Sequence, residues 1–269
     1  MSEMIQMVIL AVVQGLTEFL PVSSSGHLVL AKELLGFEAM SGLGVELLLH
    51  GGTLVAVLLF YRKLIAEIVA GLFQRKAEAW RFAIAVVISM IPAVVLGLLF
   101  KDQLEATAET PVFVCCALLF TGLLLLATRK WGHQEQGRDV SPLRGLLMGV
   151  AQAVAMLPGV SRSGSTIAMS RFLGVASDKA AAFSFLMVVP VIIAGNLYEL
   201  LKVMTGEETG AFNGLTWPLG LVGFVVAAVV GYASVAWMVR LLNRNAFWRF
   251  GFYCLALGLA GLAYFLFIH

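Results

Sequence analysis

Charge is what this sequence has least of. Of its 269 residues only 13% are Asp, Glu, Lys or Arg, 60% are hydrophobic, and the mean hydropathy is +0.94. A soluble domain is about a quarter charged, so this chain cannot cover a water-facing surface of its own size. The shortage excludes a soluble enzyme, a nucleic-acid reader and a disordered regulator. Cysteine is scarce too. Cys115, Cys116 and Cys254 lie in apolar runs, with neither metal-ligand spacing nor a disulfide framework, and read as buried small hydrophobes. Short alternating segments are missing, which excludes a membrane β-barrel. A basic leader is missing as well: Glu3 stands in its place and no small-residue cleavage site follows, so the N-terminus reads as mature protein. What remains is an all-α polytopic membrane protein, expected to be a single integral membrane domain over 1–269.

A spanning helix needs about 20 mostly apolar residues. Six stretches qualify: 44–61, 82–100, 111–128, 181–200, 217–238 and 250–267. Two more apolar regions, 4–36 and 145–175, are each broken by a Pro/Gly/Ser cluster, LPVSSSGH at 20–27 and LPGVSRSGST at 157–166. Arms this short, divided by turn-formers, predict re-entrant helix hairpins that enter and leave on one side. Non-helical backbone at that depth needs a polar cavity or protein to satisfy it. The basic residues test the layout. With the N-terminus outside, the segments 62–81, 129–144, 171–179 and 240–249 fall inside and hold 14 of the 18 Lys and Arg residues. Lys32, Lys101 and Lys202 fall outside, and Arg162 sits in the second hairpin. This positive-inside bias predicts that both termini face outward.

The two broken regions also match each other. At an offset of 138, residues 14–36 align with 152–174 with 7 identities in 23, among them Gln14 with Gln152, Ser23 with Ser161, Ser25 with Ser163 and Gly26 with Gly164. The same offset carries the three spans that follow each hairpin roughly onto one another. Repeat one is about 1–131 and repeat two about 139–269. Three spans per half make the second half inverted, an architecture that places a site near the midplane between repeats. The informative positions are those that differ: Glu18 against Met156, Ser24 against Arg162, His27 against Ser165.

These groups suggest a chemistry. Arg162, with Ser161, Ser163, Ser165 and Thr166 after Pro158-Gly159, offers a forked cation, hydroxyls and the start of a helix, which suits a phosphate. An arginine at membrane depth is expected to be functional; the plainer reading is a strut pairing Arg162 with Glu18. Gln14 and Glu18, at i and i+4, share a helix face and suit a hard divalent cation completed by phosphate oxygens. His27 is a candidate acid, base or nucleophile, and Ser24 a competing nucleophile or simply a turn-former. Glu46 and His50 are weaker candidates near the outer face. Asp102, Glu105 and Glu109 read as a solvated outer loop, and Pro92, Pro190 and Pro218 as helix kinks or starts. A phosphorylated lipid fits best, which leaves open a hydrolase acting on a lipid phosphate or a carrier that moves one.

Gln14-x-x-x-Glu18 followed by Phe19-Leu20-Pro21-Val22-Ser23-Ser24-Ser25-Gly26-His27, and Pro158-Gly159-Val160-Ser161-Arg162-Ser163-Gly164-Ser165-Thr166, resemble the two signatures of the bacterial undecaprenyl-diphosphate phosphatases, the bacitracin-resistance family. The resemblance covers essentially the whole chain. It implies hydrolysis of undecaprenyl diphosphate to undecaprenyl phosphate and inorganic phosphate. That reaction recycles the lipid carrier for peptidoglycan and other envelope polysaccharides and confers bacitracin resistance. It further implies a bacterial inner-membrane enzyme, an active site open to the periplasmic side, and a divalent cation, magnesium or calcium. Carried onto this chain, Glu18 and Gln14 hold the metal, Gln14 being a permitted variant of the family's first position. Arg162 clamps the diphosphate, and Ser161, Ser163, Thr166 and Ser25 bind it. His27, Ser24 and a metal-bound water remain alternative attacking groups. A lipid-phosphate carrier or flippase is the alternative function. Membrane lipid is an expected partner, nucleic acid is not, and a homodimer stays open.

Overall fold

The structure, a computed structural model, describes residues 2–35, 43–100, 103–104, 107, 110–130, 137–206 and 215–267. The first half contains α1 (Glu3–Thr17), α2 (Ser24–Leu35), α3 (Leu43–Phe60), α4 (Arg62–Phe73), α5 (Ala77–Leu99) and α6 (Pro111–Ala127). The second contains α7 (Pro142–Val154), α8 (Arg162–Phe172), α9 (Ser177–Leu186), α10 (Val189–Thr205), α11 (Trp217–Asn243) and α12 (Phe250–Phe267). Proline marks several starts. Pro111, Pro142, Pro190 and Pro218 occupy first turns, where a missing N–H is harmless. Asp102, Glu105 and Glu109 lie outside the described residues.

Among the described residues, five helical stretches are long and apolar enough to cross a membrane: Ala77–Leu99, Pro111–Lys130, Ser177–Thr205, Trp217–Asn243 and Phe247–Phe267. The expected span 44–61 is a shorter apolar helix, Gly44–Phe60. The expected span 181–200 is divided at Met187–Val188 between α9 and α10. Pro190 explains the division: it cannot donate to Leu186, and its ring crowds that carbonyl. Both predicted hairpin breaks are present, α1 and α2 being parted at 18–23 and α7 and α8 at 155–161.

The helices pack across the two halves. α1 and α3 lie on α11, α7 lies on α5, and α6 lies along α12. The buried core wraps the first break, with Phe19, Leu20 and Val22 packed among Ile167, Phe185, Val235, Met238 and Phe247.

Three of the four predicted inner segments line one cavity of about 560 Å³, through Lys76 and Arg81, Asp139, and Lys179. Lys179 pairs with Asp139, and backbone bonds join Arg138 to Gly174 and Ala176. Arg129 stacks over Trp248, 4.8 Å from the ring centre, and so ties in the fourth segment. The hydrogen bond and charge of Lys179 hold the Asp139 carboxyl below the usual carboxylate range. Arg171, in the predicted inner segment 171–179, is not solvent-facing. It is 2% exposed and donates to Asn245 Oδ1 at 2.5 Å. Cys116 departs from expectation: it is exposed, whereas Cys115 and Cys254 are buried.

Candidate active site

The two breaks are built alike. Ser23 Oγ accepts from the Gly26 N–H at 3.3 Å and lies 3.3 Å from Ser25 Oγ. At the same offset, Ser161 Oγ accepts from the Gly164 N–H at 3.1 Å and lies 3.3 Å from Ser163 Oγ. Each serine caps the helix that follows, as an N-cap hydroxyl does. The breaks also touch each other. A Cβ on Gly26 would stand 3.2 Å from Gly159 Cα, and one on Gly164 would stand 3.4 Å from Pro21 Cβ. Ser163 Oγ donates across to the Leu20 carbonyl at 3.0 Å. Gly159 is at φ +93, where a side chain would strike the Val114 carbonyl, so the second break depends on glycine.

This arrangement aims the N-termini of α2 and α8 into one cavity of about 630 Å³. Its polar end carries Thr17, Glu18, Ser23, Ser24, Ser25, His50, Gln152, Ser161 and Arg162. Its other wall is apolar, built from Met90, Ala93, Val94 and Leu98 of α5 and Val191 and Ile192 of α10. Leu98 and Tyr198, at this wall, are turned to the exterior of the protein. The cavity therefore has an anion-favouring end and a greasy end.

Glu18 is the hub. Arg162 Nη2 donates to its Oε1, while Ser24 Oγ at 2.7 Å and Gln14 Nε2 at 3.1 Å donate to its Oε2. The strut foreseen between Arg162 and Glu18 is thus present, and it joins the two halves. Yet it does not satisfy Arg162. Among the described residues, Arg162 Nη1, Gln14 Oε1, Ser165 Oγ and both amide atoms of Gln152 are buried with no hydrogen-bond partner. Buried polar groups are nearly always paired. Of these, Arg162 and Gln152 line the cavity, whereas Gln14 and Ser165 are not among its lining residues, so the two unmet groups at the cavity mark a place that suits a ligand. The cavity at the basic end is lined by none of these groups.

The other expected residues divide. Ser25 is exposed at the cavity. Ser163 and Thr166 are not among its lining residues: Ser163 is spent on Leu20, and Thr166 bonds the Arg162 carbonyl at 2.9 Å and Ser184 at 2.5 Å. They hold the break rather than face a ligand. His27 also lies apart from Glu18. Its Nδ1–H donates to the Ser23 carbonyl at 2.7 Å, and its Nε2 meets the Tyr253 hydroxyl at 2.7 Å, the two rings stacked. The imidazole at the cavity is that of His50. Its Nδ1–H donates to the Glu46 carbonyl at 2.9 Å, which leaves Nε2 at the cavity, 3.9 Å from Glu18 Oε2. Sequence reasoning ranked His50 low and passed over Gln152, although the match of Gln152 to Gln14 was its signal.

Among the described residues no three His, Cys, Asp or Glu side chains cluster as metal ligands. A cation here would draw on Glu18 and on the unpartnered Gln14 Oε1. Oxygen donors of this kind fit a hard divalent ion whose shell is completed by phosphate oxygens.

A helical membrane protein with an acid–arginine pair between two broken helical regions is the class that fold and site define. The family follows: residues 7–260 match the model of the bacitracin resistance protein BacA, and the chain belongs to that family. It is 41% identical over 261 residues to an undecaprenyl-diphosphatase of Christiangramia forsetii, covering 96% of each chain. It is 38% identical to one of Bacteroides thetaiotaomicron (95% of this chain, 97% of the relative) and 36% identical to one of Corynebacterium glutamicum (95% and 88%). With five apolar helices and this family, it is a multi-pass membrane protein.

Proposed function

We propose that this chain is an undecaprenyl-diphosphatase that hydrolyses undecaprenyl diphosphate to undecaprenyl phosphate and inorganic phosphate. The observation that carries the reading is Arg162, half-buried between the halves with Nη2 on Glu18 and Nη1 buried and unpartnered among the described residues. Arginine binds phosphate as a fork, and the helix N-termini around it favour the same anion. The apolar wall between α5 and α10 suits the first prenyl units of the tail.

The residues suggest how the reaction runs. The diphosphate competes with Glu18 for Arg162. As the guanidinium turns to the phosphate, Glu18 keeps a fuller negative charge beside the Ser24 hydroxyl. Ser24 Oγ then attacks the terminal phosphorus, its proton passing to Glu18, the arrangement of nucleophile and base that such catalysis requires. The bond to the bridging oxygen breaks and undecaprenyl phosphate leaves. Water cleaves the phosphoserine and releases phosphate, with His50 Nε2 placed to assist the proton transfer. Arg162 offsets charge at the transferring phosphoryl group. A divalent cation, magnesium or calcium, held by Glu18 and Gln14 would add charge neutralisation of the phosphates. His27, held at both nitrogens, serves to fix the break.

We further read the hairpins as re-entrant and the halves as inverted repeats. In support, α1 packs on α11 as α7 packs on α5, an exchange of equivalent partners. α5 begins at the basic end and lines the active-site cavity with its far half, from Met90 to Leu98. With the basic end inside, the site opens to the periplasmic side of the inner membrane.

The test is phosphate release from undecaprenyl diphosphate by the pure protein in detergent, with and without chelator. Release that needs the divalent ion supports the reading. No release sinks it and returns the lipid-phosphate carrier to consideration.

A further inference from the structure

We propose that Gln152 binds the diphosphate directly, its carboxamide N–H donating to a phosphoryl oxygen. The inference deepens the functional reading above and rests on it. Gln152 is 3% exposed and lines the active-site cavity, and neither Nε2 nor Oε1 has a hydrogen-bond partner among the described residues. Buried amides are nearly always met by a partner, so an amide held this way against a cavity points to a ligand that meets it.

The comparison with Gln14 says what arrives. The two glutamines occupy equivalent places on α1 and α7, one turn before each break. On α1 the residue four further on is Glu18, and Gln14 Nε2 donates to its carboxylate. On α7 that residue is Met156, which offers no acceptor. The second amide therefore has the same donor with its anion removed. An anion at the polar end of the cavity, where Arg162 Nη1 is also unmet, stands where the missing carboxylate would be. The chemistry is that of a phosphoryl oxygen bound by an amide and a guanidinium together.

The experiment compares the full-length chain with Gln152→Met and Gln152→Glu in detergent. It reads the Kd of a non-hydrolysable prenyl methylenediphosphonate, KM and kcat with undecaprenyl diphosphate, and Tm without ligand. Gln152→Met is expected to weaken binding by about 10- to 100-fold, as loss of a hydrogen bond to a charged group does, mostly in KM. Ligand-free Tm should stay level or rise, because two unmet polar groups are removed. Gln152→Glu should bind still more weakly, since its carboxylate repels the diphosphate. If wild type binds the probe and Gln152→Met binds equally well, the inference falls and the functional reading stands. A ligand-free Tm that drops in Gln152→Met also overturns it, because the amide would then be partnered within the protein. If wild type neither binds the probe nor releases phosphate, both fall.

Discussion

The first and second breaks share a frame and differ in what they carry. In both, a serine caps the next helix through the glycine three residues on and lies 3.3 Å from a second serine hydroxyl. The first break adds Glu18, Ser24 and His27; the second adds Arg162 in place of Ser24 and Met156 in place of Glu18. Each frame alone would strand its charge in an apolar interior. Together they neutralise each other through one ion pair. What the difference teaches is that the constant positions set where the helices start, and the divergent positions divide a single chemical task.

The comparison can be broken most severely at its hinge. Glu18→Ala and Arg162→Ala are each expected to cut phosphate release by roughly 1,000-fold or more and to destabilise the protein by about 3–5 kcal/mol, since each leaves a buried charge alone. The charge-swapped double variant, Glu18→Arg with Arg162→Glu, sharpens the point. It should regain much of the lost Tm while staying inactive, because pairing is symmetric and chemistry is not. Recovery of turnover in the swap would show that the division of roles is dispensable. Next comes Ser24→Ala, with a loss on the order of 100- to 10,000-fold, accompanied by disappearance of an acid-stable trapped phosphoenzyme. An acid-labile adduct that survives in Ser24→Ala would move the nucleophile to a histidine, His50 Nε2 being the imidazole nitrogen at the cavity.

Smaller effects test the surroundings. Gln14→Glu makes the first break still more acidic, and should lower the cation concentration at half-maximal activity, since ligand charge tunes such affinities. Asp139→Asn, at the basic end, should leave turnover unchanged and shift Tm slightly. Its folded carboxyl titrates below its unfolded value, so its contribution is present above about pH 3.9 and is lost as the pH falls through the folded value. The wild-type minus variant Tm difference should therefore vanish in acid; a difference that grows there would refute the pairing.

The two breaks and the gathering of three basic segments at one cavity were legible because each leaves a local signature: turn-formers, or a run of Lys and Arg. The pair Glu18–Arg162 was legible because charge is so rare here that few partners exist. Other features depend on distant neighbours. His27 and His50 exchange places because Tyr253, 226 residues along, captures one ring, whereas the start of α3 brings the other to the cavity. Spacing says where a residue lies on a helix, not what stands opposite. Arg171 was counted with the loops because its burial beside Asn245 is a tertiary fact. The division of α9 from α10 could have been read from Pro190, had its crowding of Leu186 been weighed against the apolar run.

The mutual contact of the breaks, Gly26 against Gly159 and Gly164 against Pro21, also has a meaning in time. A ribosome delivers the acid first and the arginine 144 positions later. Until the second break is in place, the first lacks the surface it packs against and Glu18 lacks Arg162. A nascent chain thus cannot assemble the acid–arginine pair while half made.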